Sequence, residues 1–516
     1  MIRSTFAGFT MAQHALSASQ RAIDVAGQNL SNVNTTGYTR QRLDLSSISP
    51  VGASPANSVF DNKVGQGVLM TGISQIRDPY LDVQYRSQMA KVGTADATNS
   101  ILDKIKSIFD ETESTAITSA FNDLISQLTA GMANPTESGE DSSESLVRSA
   151  CLVLMNAIHH NATSIDNVSS DVLDGLQNSD IKNINSCIKQ ITELNKTIKN
   201  TQIMGNPALE LKDQRNQLLD DLASYLPIRV EYATEGTGSS AVDVMKVTFK
   251  DSDNNVHTLI SDGEGGEFGL STGGVPVSLY IKDAITGVQS ANLADKIQNG
   301  VLKGKLDMLN KKEFFDTPPT DTKGIGYYSS MFDKFVDTFA TLMNDLNSTT
   351  DPVTGDKIPH DLFSTSDGSG IFTAENIKVS DEWMNGTVTL TRKKEETGAG
   401  GTSNSSAYDN VQRMIYELTN NNHDFGVFKG KMIEGYNNIQ NTQAIEQKAS
   451  STILKNHLTV LNQISDSKDS ISGVNLDEET MDIMRYQQSY NAASRLMTTL
   501  DEMLDKLINS TGVVGR

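Results

Sequence analysis

The sequence predicts a mainly α protein with an inserted β domain: terminal coiled-coil-like helices, a long antiparallel helical body and a small β domain. Three observations predict it. Large apolar residues recur every seventh position at both ends of the chain, at Ile2, Phe9, Leu16, Ile23 and Leu30 and again at Ile483, Tyr490, Met497 and Leu504. From about residue 80 to 225, apolar residues recur at spacings of three and four, the period of a helix. From Pro227 to about residue 300 the pattern changes to short runs, "IRVEYA", "AVDVMKVTFK", "VHTLIS" and "VPVSLYIK". Gly and Asp clusters separate these runs, which suggests hairpins.

The boundaries that follow place residues 1–36 and 474–516 in a terminal helical domain. Residues 37–226 and 300–473 form the helical body, and 227–299 the β insertion. A chain of 516 residues is expected to divide in this way.

The first helix carries a second series, Thr5, Ala12, Ser19, Ala26 and Val33, three residues behind the large one. Seven-residue spacing keeps a narrow stripe on one face, which needs a partner helix. None lies nearby in sequence. Asn34 and Gly37 end the helix, since Gly takes positive φ at little cost. An irregular stretch, "SSISPVGASPANSVFDNKVGQG", follows, and "GVLMTGIS" then reads as a strand. Asp78-Pro79 reads as an N-cap followed by proline at the first helical position.

The body is expected from "ILDKIKSIFD", "AFNDLISQL", "INSCIKQITELNKTI" and "NPALELKDQRNQLLDDLASYL". After the insertion, "GKLDMLNKKEFF" and "YYSSMFDKFVDTFATLMNDLN" return to helix. Residues 351–408 read as loops with short strands such as "TVTLT" and a flexible loop, "GAGGTSNSS". Helix resumes at "YDNVQRMIYEL" and "NTQAIEQKASSTILKNHLTVLNQI". The last helix opens with Asn475 as N-cap and Glu478 three residues on, a capping-box arrangement. Asp477, Glu478 and Glu479 suit the positive end of its dipole. Tyr486, Ala493, Leu500 and Leu507 give it a second series.

The two end helices read as partners, because small residues on the first let the large ones on the last approach closely. Burying one large apolar group contributes roughly 1.5–3 kcal/mol, and ordering one residue costs roughly 1–2 kcal/mol. One seam leaves little surplus. The expectation is that the ends stay mobile in a single copy and are completed by adjoining copies. The expected assembly interface is Phe9, Leu16, Ile23, Leu30, Val33, Ile483, Tyr486, Tyr490, Met497, Leu500, Leu504 and Leu507.

Other function classes find little support. A net charge of −21 disfavours phosphate backbones and anionic lipid surfaces. The two cysteines, Cys151 and Cys187, read as unpaired small residues in helices. No apolar run approaches the roughly 20 residues of a membrane span. Thr10, Gln13 and His14 interrupt any secretory h-region, so no cleaved signal is expected. "DSDNNVHTLISD" has the first ligands of a calcium loop, but Val256 and Asp262 stand where Gly and Glu are needed, so a hairpin turn is expected. "SDGEGGEFGL" carries Glu264 and Glu267 and no Lys, the wrong charge for a phosphate cradle. His159-His160 lacks a second ligand pair, and no nucleophile–base set stands out. The sequence reads as a non-enzyme without metal or cofactor.

"NLSNVNTTGYTRQ", Asn29 to Gln41, resembles the N-terminal signature of the bacterial flagellar rod, hook and hook-associated axial proteins. "SGVNLDEETMDIMRYQQSYNAASRLMTTLDEMLDKLIN" resembles their C-terminal signature. By themselves the ends also fit hook or distal rod proteins. "VGQGVLMTGISQIRDPYLDVQYR", "LELKDQRNQLLDDLASYL" and "GIFTAENIKVSDEW" are similar to the hook-associated protein 1 branch of that family. Thr36 stands where many relatives carry proline before "GY". The resemblance implies a structural part of the hook–filament junction, self-assembling and placed between hook protein and hook-associated protein 3. It implies export by the flagellar type III route and an export chaperone on the C-terminal helix. It also implies terminal helices lining an inner channel with the β domain outward.

Overall fold

The computed structural model describes residues 5–48, 67–110, 117–133, 142–236, 241–261, 263–271, 275–311, 323–350, 354, 356–392, 409–426 and 428–510. The loop "GAGGTSNSS" and most of the irregular stretch before Gly67 lie outside them.

The chain opens with helix α1 (Thr5–Ser31) and a hairpin of β1 (Gln41–Ser47) and β2 (Val68–Gln75). Only β2 was expected. β1 pairs with it antiparallel, Gln41 opposite Gln75 and Ser47 opposite Val68. The helical body begins with α2 (Pro79–Phe109), which starts as its sequence dictates. The Asp78 carboxylate accepts the Tyr80 N–H at 2.9 Å, and Pro79 takes the first turn where no donor is needed. There follow α3 (Ile117–Ala133), α4 (Ser142–Gly175), α5 (Ile181–Ile203) and α6 (Leu209–Tyr225). A single π turn, Leu176–Asp180, links α4 and α5.

The insertion is β3 (Ile228–Glu235), β4 (Val242–Lys250), β5 (Val256–Ser261), β6 (Glu264–Gly265), β7 (Glu267–Ser271) and β8 (Ser278–Lys282). The first four form an antiparallel meander, and β7 pairs with β8. "DSDNN" is the β4–β5 turn. Asp251 accepts the backbone N–H groups of Asp253 and Asn255, and Asn254 has φ of 65°. The inner residues of the strands, among them Val247, Phe249, Leu259 and Ile281, join one continuous apolar core with the helices. The strands rest on α5, so the change at Pro227 is one of secondary structure within a shared core.

Helices α7 (Val301–Asn310), α8 (Ile325–Asn347), α9 (Asp381–Met384), α10 (Asp409–Thr419), α11 (Met432–Ser472) and α12 (Leu476–Ser510) complete the chain. α11 runs against α2, and glutamines tie them, Gln443 buried and Gln440 half-buried. Gln443 donates to the Leu102 carbonyl at 2.8 Å, and Gln440 to that of Phe109 at 2.8 Å. Gly93 lets α2 meet the end of α6, because a Cβ there would lie 2.2 Å from the Ser224 oxygen. Aromatic rings fill the centre. Phe339 packs edge-on against Phe121 and against Phe363, and Phe363 meets Trp383.

One expected strand is not formed. Thr387–Thr391, "TVTLT", is irregular, because side chains take the backbone groups a ladder would use. Leu390 N–H donates to Glu144 Oε1 at 3.0 Å and Thr391 N–H to Asn347 Oδ1 at 2.7 Å. Edge groups bound in this way cannot pair with a strand.

Candidate functional site

Helices α1 and α12 lie against one another in antiparallel sense. Gly8 sits under Leu500 at one end, and Asn29 meets Glu479 at the other. The small series of α1 forms the close contact. Ala12, Ser19 and Ala26 are buried, as is Ala493 on α12. Around them Ile483, Tyr486, Tyr490, Met497, Leu500 and Leu504 are half-buried. Phe9, Leu16, Ile23, Leu30 and Val33 are also half-buried, while Leu507 is exposed. Ile2 lies outside the described residues.

The two seams face each other inside one chain, with their large residues left half-exposed. Small residues facing large ones bring the two axes close, and one copy supplies both. Not all of α1's large series serves that seam. Leu16 also lines an open groove of about 890 Å³ with Leu43, Met70 and Ile73 of the β1–β2 hairpin.

The outward faces of the pair differ in chemistry. On α1, Gln13, Ser17, Gln20, Arg21, Asp24 and Gln28 face water. On α12 a second apolar stripe runs outward at Met481, Met484, Leu496, Met503 and Leu507, 57%, 51%, 41%, 60% and 49% exposed. Gln488, Ala492 and Thr499 continue it at spacings of three and four, so it follows the helix for its whole length. The seam heptads drew attention to the opposite face. The stripe was legible at the same period, with methionine as its commonest residue.

At the base of the pair lies a polar joint that sequence reasoning treated as a turn signal. Asn29 is 1% exposed and fully bonded. Its Nδ2 donates to the Gln41 carbonyl and to Glu479, and its Oδ1 accepts the Tyr38 hydroxyl and the Gln41 N–H. Arg40 forks onto α12, Nε to Glu479 at 2.6 Å and Nη1 to Glu478 at 2.9 Å, with Asp482 3.8 Å from Nη2. Glu478 was expected to close a capping box. Asn475 does accept the Asp477 N–H at 3.0 Å, but Glu478 is engaged by Arg40. A guanidinium fork holds a carboxylate more strongly than one neutral N–H.

On the body side, Asp213 of α6 accepts both the N–H and the hydroxyl of Thr39, at 3.1 and 2.6 Å. Gln41 donates to Glu210 at 3.2 Å, and Gln75 to the Leu209 carbonyl at 3.0 Å. Gly37 turns with φ of 79° beside Gln217, which asks for glycine. Below, Arg77 forks onto Asp82 at 2.5 and 3.0 Å, and Asp220 receives Arg86 at 2.7 Å and Lys468 at 2.8 Å. Burial raises the Asp82 pKa, but the bonds and charge of Arg77 outweigh it and hold the carboxyl below the usual aspartate range. Burial pushes the Asp213 carboxyl up and also the Tyr38 hydroxyl, the latter with help from Glu210, Asp213 and Glu479.

None of this is a reaction centre in form. Among the described residues no group of three or more His, Cys, Asp or Glu could hold a metal, and no helix is long and apolar enough to cross a membrane. Cys151 is buried and Cys187 half-buried, both free. His159 lies on a helix face and bonds the Ile377 carbonyl at 2.7 Å.

A paired N- and C-terminal helix on a large body, with a polar joint between, matches the axial proteins of the flagellum at both ends. Residues 9–39 match the flagella basal body rod protein family, and residues 469–510 the C-terminal family of the flagellar basal body rod FlgEFG proteins. The body makes the assignment specific. Residues 102–363, half of the chain, match the flagellar hook-associated protein FlgK helical domain, and the chain belongs to the FlgK family. It is a structural component of the flagellar axis at the hook–filament junction. Flagellar hook-associated protein 1 of Bacillus subtilis is 28% identical over 99% of this chain and 100% of the relative. The protein of that name from Escherichia coli is 24% identical over 96% of this chain and 98% of its own length. The flagellar hook junction protein FlgK from Burkholderia pseudomallei shares the fold, with a TM-score of 0.54 at 10% identity, over 76% of this chain and all of that one.

Proposed function

We propose that copies of this chain join one another through the terminal helix pair, with the outward stripe of α12 covered by the neighbouring copy. The stripe is the observation that carries this reading. Three methionines and two leucines share one exposed face of this helix, interrupted by Gln488 and Thr499, and an apolar row of this kind marks a contact. Methionine suits a face that meets more than one partner, since its side chain is unbranched and polarisable. The seam residues then act by shaping the pair, and the stripe makes the contact. Head-to-tail contacts of this kind build open helical arrays or closed rings.

The further partners follow from the family. Hook protein lies on one side of the assembled junction and hook-associated protein 3 on the other. Before assembly an export chaperone covers the C-terminal helix, where the exposed stripe gives it a surface to hold. The chain leaves the cell by the flagellar type III route. It performs no catalysis.

The test is a pair of double variants in the full chain. Met484→Asp with Met503→Asp is expected to leave helix content and monomer stability unchanged. It should abolish sedimentable assemblies and chaperone capture, leaving cells with bare hooks and filament subunits in the medium. Gln13→Glu with Gln20→Glu, on the polar face of α1, is expected to change none of these. Normal assembly and motility in the methionine variant would refute the stripe as the contact.

A further inference from the structure

The body core contains no residue of α1 or α12 among its described members, so no apolar weld fixes the pair to the body. Connection runs through the crossing at residues 32–40, the short link 473–475 between α11 and α12, and the polar bonds of the β1–β2 hairpin to α6. Those two long helices, of 41 and 35 residues, are broken only by that link. Arg40 touches both sides of the break. Its backbone N–H donates to the carbonyl of Ser472, the last residue of α11, at 2.9 Å. Its side chain grips Glu478 and Glu479 in the first turn of α12. Glu479 is itself 2% exposed, so it is held in place by its partners rather than by water.

Beneath the crossing lies a polar cavity of about 310 Å³, lined among others by Gly37, Thr39, Asp213, Lys468 and Gly473. Room under a crossing made of hydrogen bonds lets the link take other angles without breaking an apolar core. We propose that Arg40 is the positioning residue that sets the angle between α11 and α12, and so the direction in which the pair leaves the body. An ion pair on a buried carboxylate is well suited to this role. It adds little to net stability, but its geometry is strict and losing one partner leaves a buried charge unmatched. Without the Arg40 fork, Glu478, Glu479 and Asp482 repel one another at the start of α12, and the link pivots over the cavity.

Pulsed dipolar spectroscopy on the full chain decides the matter. Spin labels are placed through Ser451→Cys on α11, Ser494→Cys on α12 and Ser17→Cys on α1, in a Cys187→Ser background; all three serines are exposed. With Arg40 present, the 451–494 and 17–494 pairs each give one narrow distance. Arg40→Ala is expected to remove the narrow 451–494 peak and leave the 17–494 peak intact. If Arg40→Ala lowers the yield of folded chain, Glu479→Gln breaks the same pair without changing shape and the same two distances are read. Two unchanged peaks would overturn the proposal. So would loss of both, since Arg40 would then hold the pair together rather than aim it.

Discussion

The helical body and the terminal pair are both made of long helices, yet they are stabilised in different ways. The body buries rings on all sides: Phe121, Phe339, Phe363 and Trp383 are each at most 1% exposed. The terminal pair has one seam whose closest contacts are alanines and a serine, with its large residues half in water. The body's rings are enclosed within one copy. The pair meets along its inner face and leaves an interrupted apolar stripe outside. Two helices cannot bury all their apolar surface in each other, because each presents only one face to the other. What is left over is available to a neighbour. The joint between the two regions is polar, so the pair can be aimed without disturbing the core.

The contrast breaks first, and most severely, in the body. Phe339→Ala is expected to cost about 3–5 kcal/mol by opening a cavity among rings. Trp383 is the chain's one tryptophan and is fully buried in the body, so its fluorescence in urea reports this loss directly. An unchanged midpoint would mean that the aromatic centre is not what holds the body.

Next in size is Asp82→Asn, expected to cost about 3 kcal/mol at pH 7 because Arg77 loses its carboxylate in a buried setting. Since Arg77 holds the folded-state pKa of Asp82 below its unfolded value of about 3.9, the contribution is present above that value. It is lost as pH falls through the lower folded value. The gap between variant and parent should therefore close as urea titrations move from pH 7 to below about pH 4. Asp213, raised by burial, titrates with the opposite sign.

The smallest effect is expected in the seam. Ala12→Leu overpacks a fully buried position and should cost about 1–3 kcal/mol. Its signature sharpens the comparison. Helix content by circular dichroism should begin to fall at lower urea, while the Trp383 transition stays where it was. A shift of both together would show that pair and body unfold as one unit.

Much of this architecture was legible. The period of three and four named the body helices, short runs between Gly and Asp clusters named the strands, and Asp78-Pro79 marked the start of α2 to the residue. The flanking strands also marked "DSDNN" as a turn. Three features were not legible, for a common reason. "TVTLT" has the composition of a strand, but Glu144 and Asn347, distant in sequence, take its backbone groups. Glu478 has the spacing of a capping box, but Arg40 claims it from 438 positions away. The β1–β2 hairpin spans an intervening stretch that carries no pairing signal.

The same holds for the terminal pair. Heptads at both ends identified the two helices but not which of their faces stays open. By itself the sequence determined the periods: where helices and strands run, which helix carries small residues and which large, and that the ends resemble flagellar axial proteins. Periods are local, set by backbone geometry and the alternation of side chains, and a single chain suffices to read them. The tertiary structure decided which faces meet. It spent the seam inside one copy, turned the methionine stripe outward, and gathered Asn29, Arg40, Asp213 and Glu479 into one joint. Those outcomes depend on hydrogen bonds and ion pairs between residues hundreds of positions apart, and such pairings leave no spacing to be read.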